Sequence, residues 1–217
     1  MNRCAPFSFY TERRLVLLTG RRARNLEELL KHLGEVSGAC VFYHTHQQYL
    51  SHHFERPLFF NDFASWAGRA LQERRLAEQL AAVDLLAHTT IRQVREEVIQ
   101  ILRARLEEPD GGVRACPPGD EFHFCESQSF IMPTGQVAED VKNFFAKIAE
   151  VSNLCLFFHF FEARLRLGRP TNDFSQWLAY CGYDRLAWAI DALDPYAMTL
   201  GELQARIVQL GQQSGLA

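Results

Sequence analysis

The chain has 217 residues, 47% of them apolar and 23% charged, with a net charge of -3. That mixture belongs to a folded globular protein and excludes a disordered one. Its 23 Lys+Arg stand against 26 Asp+Glu, so no basic surplus exists to grip a phosphate backbone, and nucleic acid is not an expected partner.

The start, Met1 to Pro6, has no apolar stretch of signal-peptide kind. No run reaches the ~18 apolar residues of a membrane span, so no membrane role is expected. Six scattered cysteines form no C-x-x-C pair, which predicts reduced thiols in a cytoplasm. Seventeen Phe, a ring with no polar handle, predict a Phe-rich core, pocket or interface.

Phe7-Ser8-Phe9 alternates like a short strand. After Thr19-Gly20, the spacing of Ala23, Leu26, Leu29, Leu30 and Leu33 predicts a helix, with Thr19 at its cap or entry turn. A second helix is expected over Ser37–Ser51 and a third from Asn61-Asp62, whose short polar side chains suit a first turn. Ala70–Ala87 also reads as helical, and a last amphipathic helix starts at Thr90. Glu107 to Asp120 is the densest Pro/Gly/Asp stretch and reads as an exposed connection.

Beyond it the same order returns. Phe7–Leu50 lies over Phe122–Leu165 without a gap, matching Thr19-Gly20 with Thr134-Gly135, Glu35-Val36-Ser37 with Glu150-Val151-Ser152, and His44 with His159. Asn61-Asp62-Phe63-Ala64-Ser65-Trp66 then matches Asn172-Asp173-Phe174-Ser175-Gln176-Trp177, and Thr90 matches Thr199. Helices are expected over Val137–Ile148, Ser152–Leu167, from Asn172, over Tyr183–Leu193 and from Thr199. The expected fold is therefore mainly α: two related helical halves about a pseudo-twofold, with short extended segments opening each half. Residues 1–107 form the first repeat, 108–120 the linker and 121–217 the second.

The motifs Phe42-Tyr43-His44-Thr45-His46, Asn61 to Trp66, Phe157 to Leu167, Asn172 to Leu178 and Leu193-Asp194-Pro195-Tyr196 resemble an uncharacterised bacterial protein family over nearly the whole chain. That resemblance implies a loose link to carbohydrate metabolism. It brings no activity, no cofactor and no catalytic residues.

His44 and His159 hold equivalent places in the most apolar helices. Paired imidazoles can bind a metal or titrate near neutral pH; a buried imidazole can equally be a core residue that bonds the backbone. His159 and Glu162 are one helical turn apart, with Arg164 and Arg166 beyond, a set that could hold an anionic or sugar-phosphate ligand. An ion pair at a helix end is the bland alternative. His44, His46, His52 and His53 form a His-rich tract that lacks H-E-x-x-H spacing and reads as a solvated or pocket-rim cluster. Asp62 with Trp66, and Asp173 with Trp177, could make a polar-plus-aromatic sugar site or simply start and anchor a helix. No nucleotide or hydrolase motif is present.

The leading expectation is a non-catalytic binding or regulatory module for a protein partner or small ligand. The rival is a metal- or small-molecule-binding enzyme or sensor centred on His44, His159 and Glu162. A homodimer through partly exposed Phe-rich helices is a third. Neither a cofactor nor a metal can be named from the sequence.

Overall fold

The computed structural model describes residues 4–48, 59–112 and 114–216. In chain order the elements are β1 (Phe7–Ala23), α1 (Leu26–Glu35), α2 (Gly38–Phe42) running into a π turn (Tyr43–Gln47), α3 (Asp62–Arg69), α4 (Arg74–Ala81) and α5 (Ile91–Leu106). Then come β2 (Phe122–Ala138), α6 (Val141–Ile148), α7 (Asn153–Phe157) with its π turn (Phe158–Glu162), α8 (Ala163–Leu167), α9 (Asp173–Tyr180), α10 (Asp184–Asp191), a 3-10 turn (Pro195–Ala197) and α11 (Leu200–Gln213). β1 and β2 pair as a two-stranded antiparallel sheet.

The expectation of a mainly α protein of two helical repeat halves is overturned. Among the described residues helix accounts for 54% and strand for 18%, and the architecture is mixed α/β. Phe7-Ser8-Phe9 and Phe122-His123-Phe124 do open extended segments, but each strand runs to 17 residues. Alternation betrays a strand only where one face is buried. Leu15 to Leu18 and Phe130 to Met132 are exposed on both faces, so the period-two signal disappears there.

Thr19 and Thr134 cap no helix. Their hydroxyls donate across the sheet to the carbonyls of Phe124 (2.7 Å) and Phe9 (2.8 Å). Gly20 and Gly135 each take φ near +77° inside the strands (76° and 78°), a backbone state that glycine alone adopts cheaply. The helices start later, at Asn25 and Asp140, whose carboxamide and carboxylate accept the amides of Glu28 and Asn143.

The helix expected over Ala70–Ala87 is confined to Arg74–Ala81, whereas six other starts agree with the sequence. Ser37, Ser152, Asn61 and Asn172 are N-caps. Thr90 and Thr199 form capping boxes with Gln93 and Glu202. The expected end of the second helix at Ser51 lies outside the described residues.

Packing forms two compact units, and each draws on sequence from both sides of residues 108–120. In the described residues, unit 1 holds 4–13 and 129–216 and unit 2 holds 14–48, 59–112 and 114–128.

In unit 1 the Phe7 and Phe9 rings of β1 pack on Phe144 of α6, at centroid distances of 5.3 and 5.8 Å, and Phe144 meets Phe174 and Trp177 of α9. Phe157, Phe158, Phe160 and Phe161 are all buried, so the Phe-rich helix supplies core rather than surface. Cys4 is bonded to Cys181 just past α9, which corrects the expectation of six free thiols. Cys40, Cys116, Cys125 and Cys155 are free and buried.

In unit 2 the Phe122 ring of β2 stacks on Phe63 of α3 at 5.2 Å and meets Trp66 edge-on. A buried bidentate pair, Arg105 with Glu73 (3.0 Å for both contacts), ties α5 to the start of α4, and Arg105 also reaches Asp110.

Candidate functional site

The site in unit 1 begins with the chain's most apolar helix. Ser152 accepts the amide of Cys155 and starts α7, and five residues later the helix widens into the π turn Phe158–Glu162. Such turns insert one residue into the helical ladder and rotate everything after it. His159 sits inside this turn and is 3% exposed.

Both of its ring nitrogens are engaged. Nδ1 lies 2.7 Å from Asp173 Oδ2, and Nε2 accepts the amide proton of Tyr10 at 2.8 Å. An amide nitrogen can only donate, so Nε2 is bare and the proton is on Nδ1, which gives it to Asp173. The imidazole is neutral in this arrangement. Burial lowers its pKa, and the Asp173 carboxylate only partly opposes that.

Asp173 is the first residue of α9, directly after the Asn172 cap. Arg166, on α8, donates to the same Asp173 oxygen at 2.7 Å and to the Phe158 carbonyl at 3.0 Å. Its guanidinium lies 4.0 Å over the Phe158 ring. Burial raises the Asp173 carboxyl, but the hydrogen bonds from His159 and Arg166 outweigh it and hold the pKa below the usual carboxylate range. Trp177, one turn along α9, donates its indole N–H to the Ala5 carbonyl at 2.8 Å and fixes the segment leading into β1. Between these groups lies an open cavity of about 710 Å³, walled by Tyr10, Phe158, Gln176, Trp177 and Tyr180, with Arg166 and Asp173 as its charged lining.

Unit 2 carries the same clamp. His44, 3% exposed in its own π turn, places Nδ1 2.8 Å from Asp62 Oδ2 and accepts the Cys125 amide at Nε2 (3.0 Å). Trp66 donates to the Asp120 carbonyl at 2.7 Å. Its cavity is smaller, about 360 Å³, and is lined by acidic and basic side chains including Asp120, Glu121, Arg69 and His123.

The structure thus joins His159 with Asp173 and Trp177 in unit 1, and His44 with Asp62 and Trp66 in unit 2. Glu162 and Arg164 are buried and line neither cavity. The one-turn spacing of His159 and Glu162 assumed an α-helix, and the π turn carries Glu162 round to another face. Arg166, beyond the turn, is the arginine that reaches the cavity. His46 is not solvated: it is 4% exposed and stacks on Phe42 at 5.4 Å. His52 and His53 lie outside the described residues.

Sequence reasoning missed Tyr10 and Tyr180. Tyr10 carried a usable signal, an aromatic on the outward phase of the Phe7-Ser8-Phe9 alternation. No group of three or more His, Cys, Asp or Glu that could hold a metal occurs among the described residues. No helix there is long and apolar enough to cross a membrane.

These features define a two-unit α/β protein in which a buried histidine, backed by a partly exposed aspartate, holds a strand amide in each unit. The chain belongs to a family of unknown function, DUF5752, whose pattern matches residues 4–212, in line with the resemblance to an uncharacterised family. Among solved structures it is similar to OrfY from Thermoproteus tenax, with 29% identity over 98% of this chain and 97% of that one and a TM-score of 0.83. No curated protein matches it.

Proposed function

We propose that this chain is a non-catalytic binding module whose small-molecule seat is the unit 1 cavity, and that its ligand is a neutral, hydroxylated ring compound. The observation that carries this reading is the Arg166–Asp173 pair at 2.7 Å. These are the charged side chains of the cavity lining, and they neutralise each other. What remains for a ligand is aromatic surface from Tyr10, Tyr180 and Trp177 and hydrogen bonding from Gln176 and Ser8. Rings stack on such surfaces while their hydroxyls bond to a few placed polar groups. The cavity volume lies within the ~300–1,000 Å³ usual for small-molecule sites.

Binding is favoured over proton transfer because His159 would have to release Tyr10 or Asp173 before it could accept a proton or a metal. A regulatory role in carbohydrate metabolism follows naturally if the ring compound is a sugar.

Saturation-transfer NMR with neutral hexoses and disaccharides, run beside hexose phosphates, tests the reading. Transfer from the neutral sugars is expected, with loss in Tyr180→Ala and Gln176→Ala. Selective binding of the phosphates, no transfer from either class, or neutral-sugar signals unchanged in both variants would overturn it.

A further inference from the structure

In unit 2, β1 passes through Leu15, Val16, Leu17 and Leu18, which are 55, 48, 46 and 80% exposed. Successive strand side chains point to opposite faces, so both faces of this stretch are open to water. Among the described residues β1 pairs with β2 alone, and its other edge carries no strand. An exposed apolar run on an open edge is a template for a further strand.

We propose that a second copy of this chain fills that edge, the two β1 strands running antiparallel about a twofold axis at Val16. The register follows from hydrogen-bond direction and charge. The Tyr10 amide points away from β2, toward His159. Main-chain direction alternates along a strand, so the amides of Arg14, Val16 and Leu18 also point outward. Outward residues must face outward residues in the new ladder, which leaves axes on whole residues.

An axis at Leu17 sets Arg13 opposite Arg21 of the other copy, and directly opposed like charges destabilise a sheet. An axis at Leu15 sets the exposed Leu18 opposite the buried Glu12 and leaves half of the apolar run outside its centre. An axis at Val16 sets Arg13 opposite Thr19, Arg14 opposite Leu18, and Leu15 opposite Leu17. The apolar run then pairs with itself and no two arginines meet. The interface is isologous and closes, as a C2 dimer requires. It depends on neither cavity and stands whatever ligand the protein takes.

Native mass spectrometry and light scattering of the full chain at micromolar concentration should show a dimer. Val16→Pro deletes an outward amide and leaves the inward ladder to β2 intact, so it should give a monomer with an unchanged circular dichroism spectrum. If that variant fails to fold, Val16→Cys decides the matter. Directly opposed, hydrogen-bonded residues have Cα atoms ~5.5 Å apart, within disulfide reach, so mild oxidation should yield a covalent dimer. Leu17→Cys, opposite Leu15, should not cross-link. A monomeric wild type overturns the proposal, and so does a dimer that persists in folded Val16→Pro. Absence of a covalent Val16→Cys dimer overturns it as well.

Discussion

The Nε2 atom of His159 accepts the amide proton of Tyr10, 149 residues away in the chain, at 2.8 Å. An edge strand normally gives its outward amides to water or to another strand. Here a buried side chain takes one, and Asp173 holds that side chain from behind through Nδ1 at 2.7 Å. His44 does the same for Cys125, with Asp62 behind it. The relay fixes where the strand end lies against the helices.

This assigns different tasks to the two nitrogens, and two substitutions separate them. Asparagine places its amide near Nδ1 and glutamine near Nε2. In His159→Asn the Asp173 contact survives and the Tyr10 amide is orphaned, so its hydrogen exchange should accelerate at least tenfold. In His159→Gln the Tyr10 amide stays protected while Asp173 loses a donor. Each variant should lose about 1–3 kcal/mol in urea unfolding, the usual cost of leaving one buried polar group unpaired. Equal exchange at Tyr10 in the two variants would show that Nε2 does not hold the strand.

The two buried asparagine caps, Asn61 and Asn172, should differ sharply from the exposed hydroxyl caps. Asn172 is wholly buried. Its Oδ1 accepts the Ser175 amide at 2.9 Å, and its Nδ2 donates to Asp191 (2.7 Å) and to the Ser175 hydroxyl (3.0 Å). Thr199 caps α11 at the surface. Loss of an exposed cap costs ~1 kcal/mol. Asn172→Ala also strips a donor from the Asp191 carboxylate, so it should cost about 3 kcal/mol against about 1 for Thr199→Ala. Denaturant midpoints measured side by side check the ratio, and equal losses would mean the Asp191 bond contributes nothing.

Most caps were legible in the sequence because capping is local: an Asn, Ser or Thr before an apolar-periodic run needs no distant partner to declare itself, although Thr19 and Thr134 drew the reading away from the true caps Asn25 and Asp140. The His–Asp pairing was only half legible. His159 and Asp173 each stood out, but the amide that completes the site comes from Tyr10, and nothing local joins residue 10 to residue 159. The strands hid for a related reason. Leu15 to Leu18 have no buried face, so their pattern carries no period, and Thr19-Gly20 imitates a helix entry. The π turn was invisible because the insertion lies in the hydrogen-bond ladder and leaves no fixed mark on residue types; that is why Glu162 looked like a neighbour of His159.

His46 should make stability depend on pH below neutrality. Burial lowers its pKa to about 4, with His88 and Arg14 nearby adding to the effect and a backbone bond to Leu85 opposing it. The unfolded value is near 6.5. The folded value is depressed, so the unfolded chain binds the proton first as the pH falls. The stabilising contribution is complete above about pH 6.5 and drains away between there and about pH 4, amounting to on the order of 3 kcal/mol. Urea melts at intervals across that range should show the slope, and His46→Gln should reduce it, leaving the share that the buried His159 adds. An unaltered slope in the variant would move the effect to other groups.

Gly211 offers a prediction that opposes helix propensity. It lies within α11 and is buried, and alanine there would ordinarily stabilise a helix by up to ~1 kcal/mol. An added Cβ would stand 2.5 Å from two atoms of the Phe145 ring, closer than real Cβ contacts allow. Phe145 is fully buried against Phe144, at 5.2 Å between centroids, so the ring has little room to withdraw. Overpacking of this kind typically costs about 1–3 kcal/mol. Gly211→Ala should therefore destabilise the protein by about that much. Adding Phe145→Leu frees space beside the new methyl, so the double variant should lose less than the sum of the two single changes, with a favourable coupling of about 1 kcal/mol. Strict additivity in the cycle would mean that the helix shifts bodily and that the ring does not set the limit.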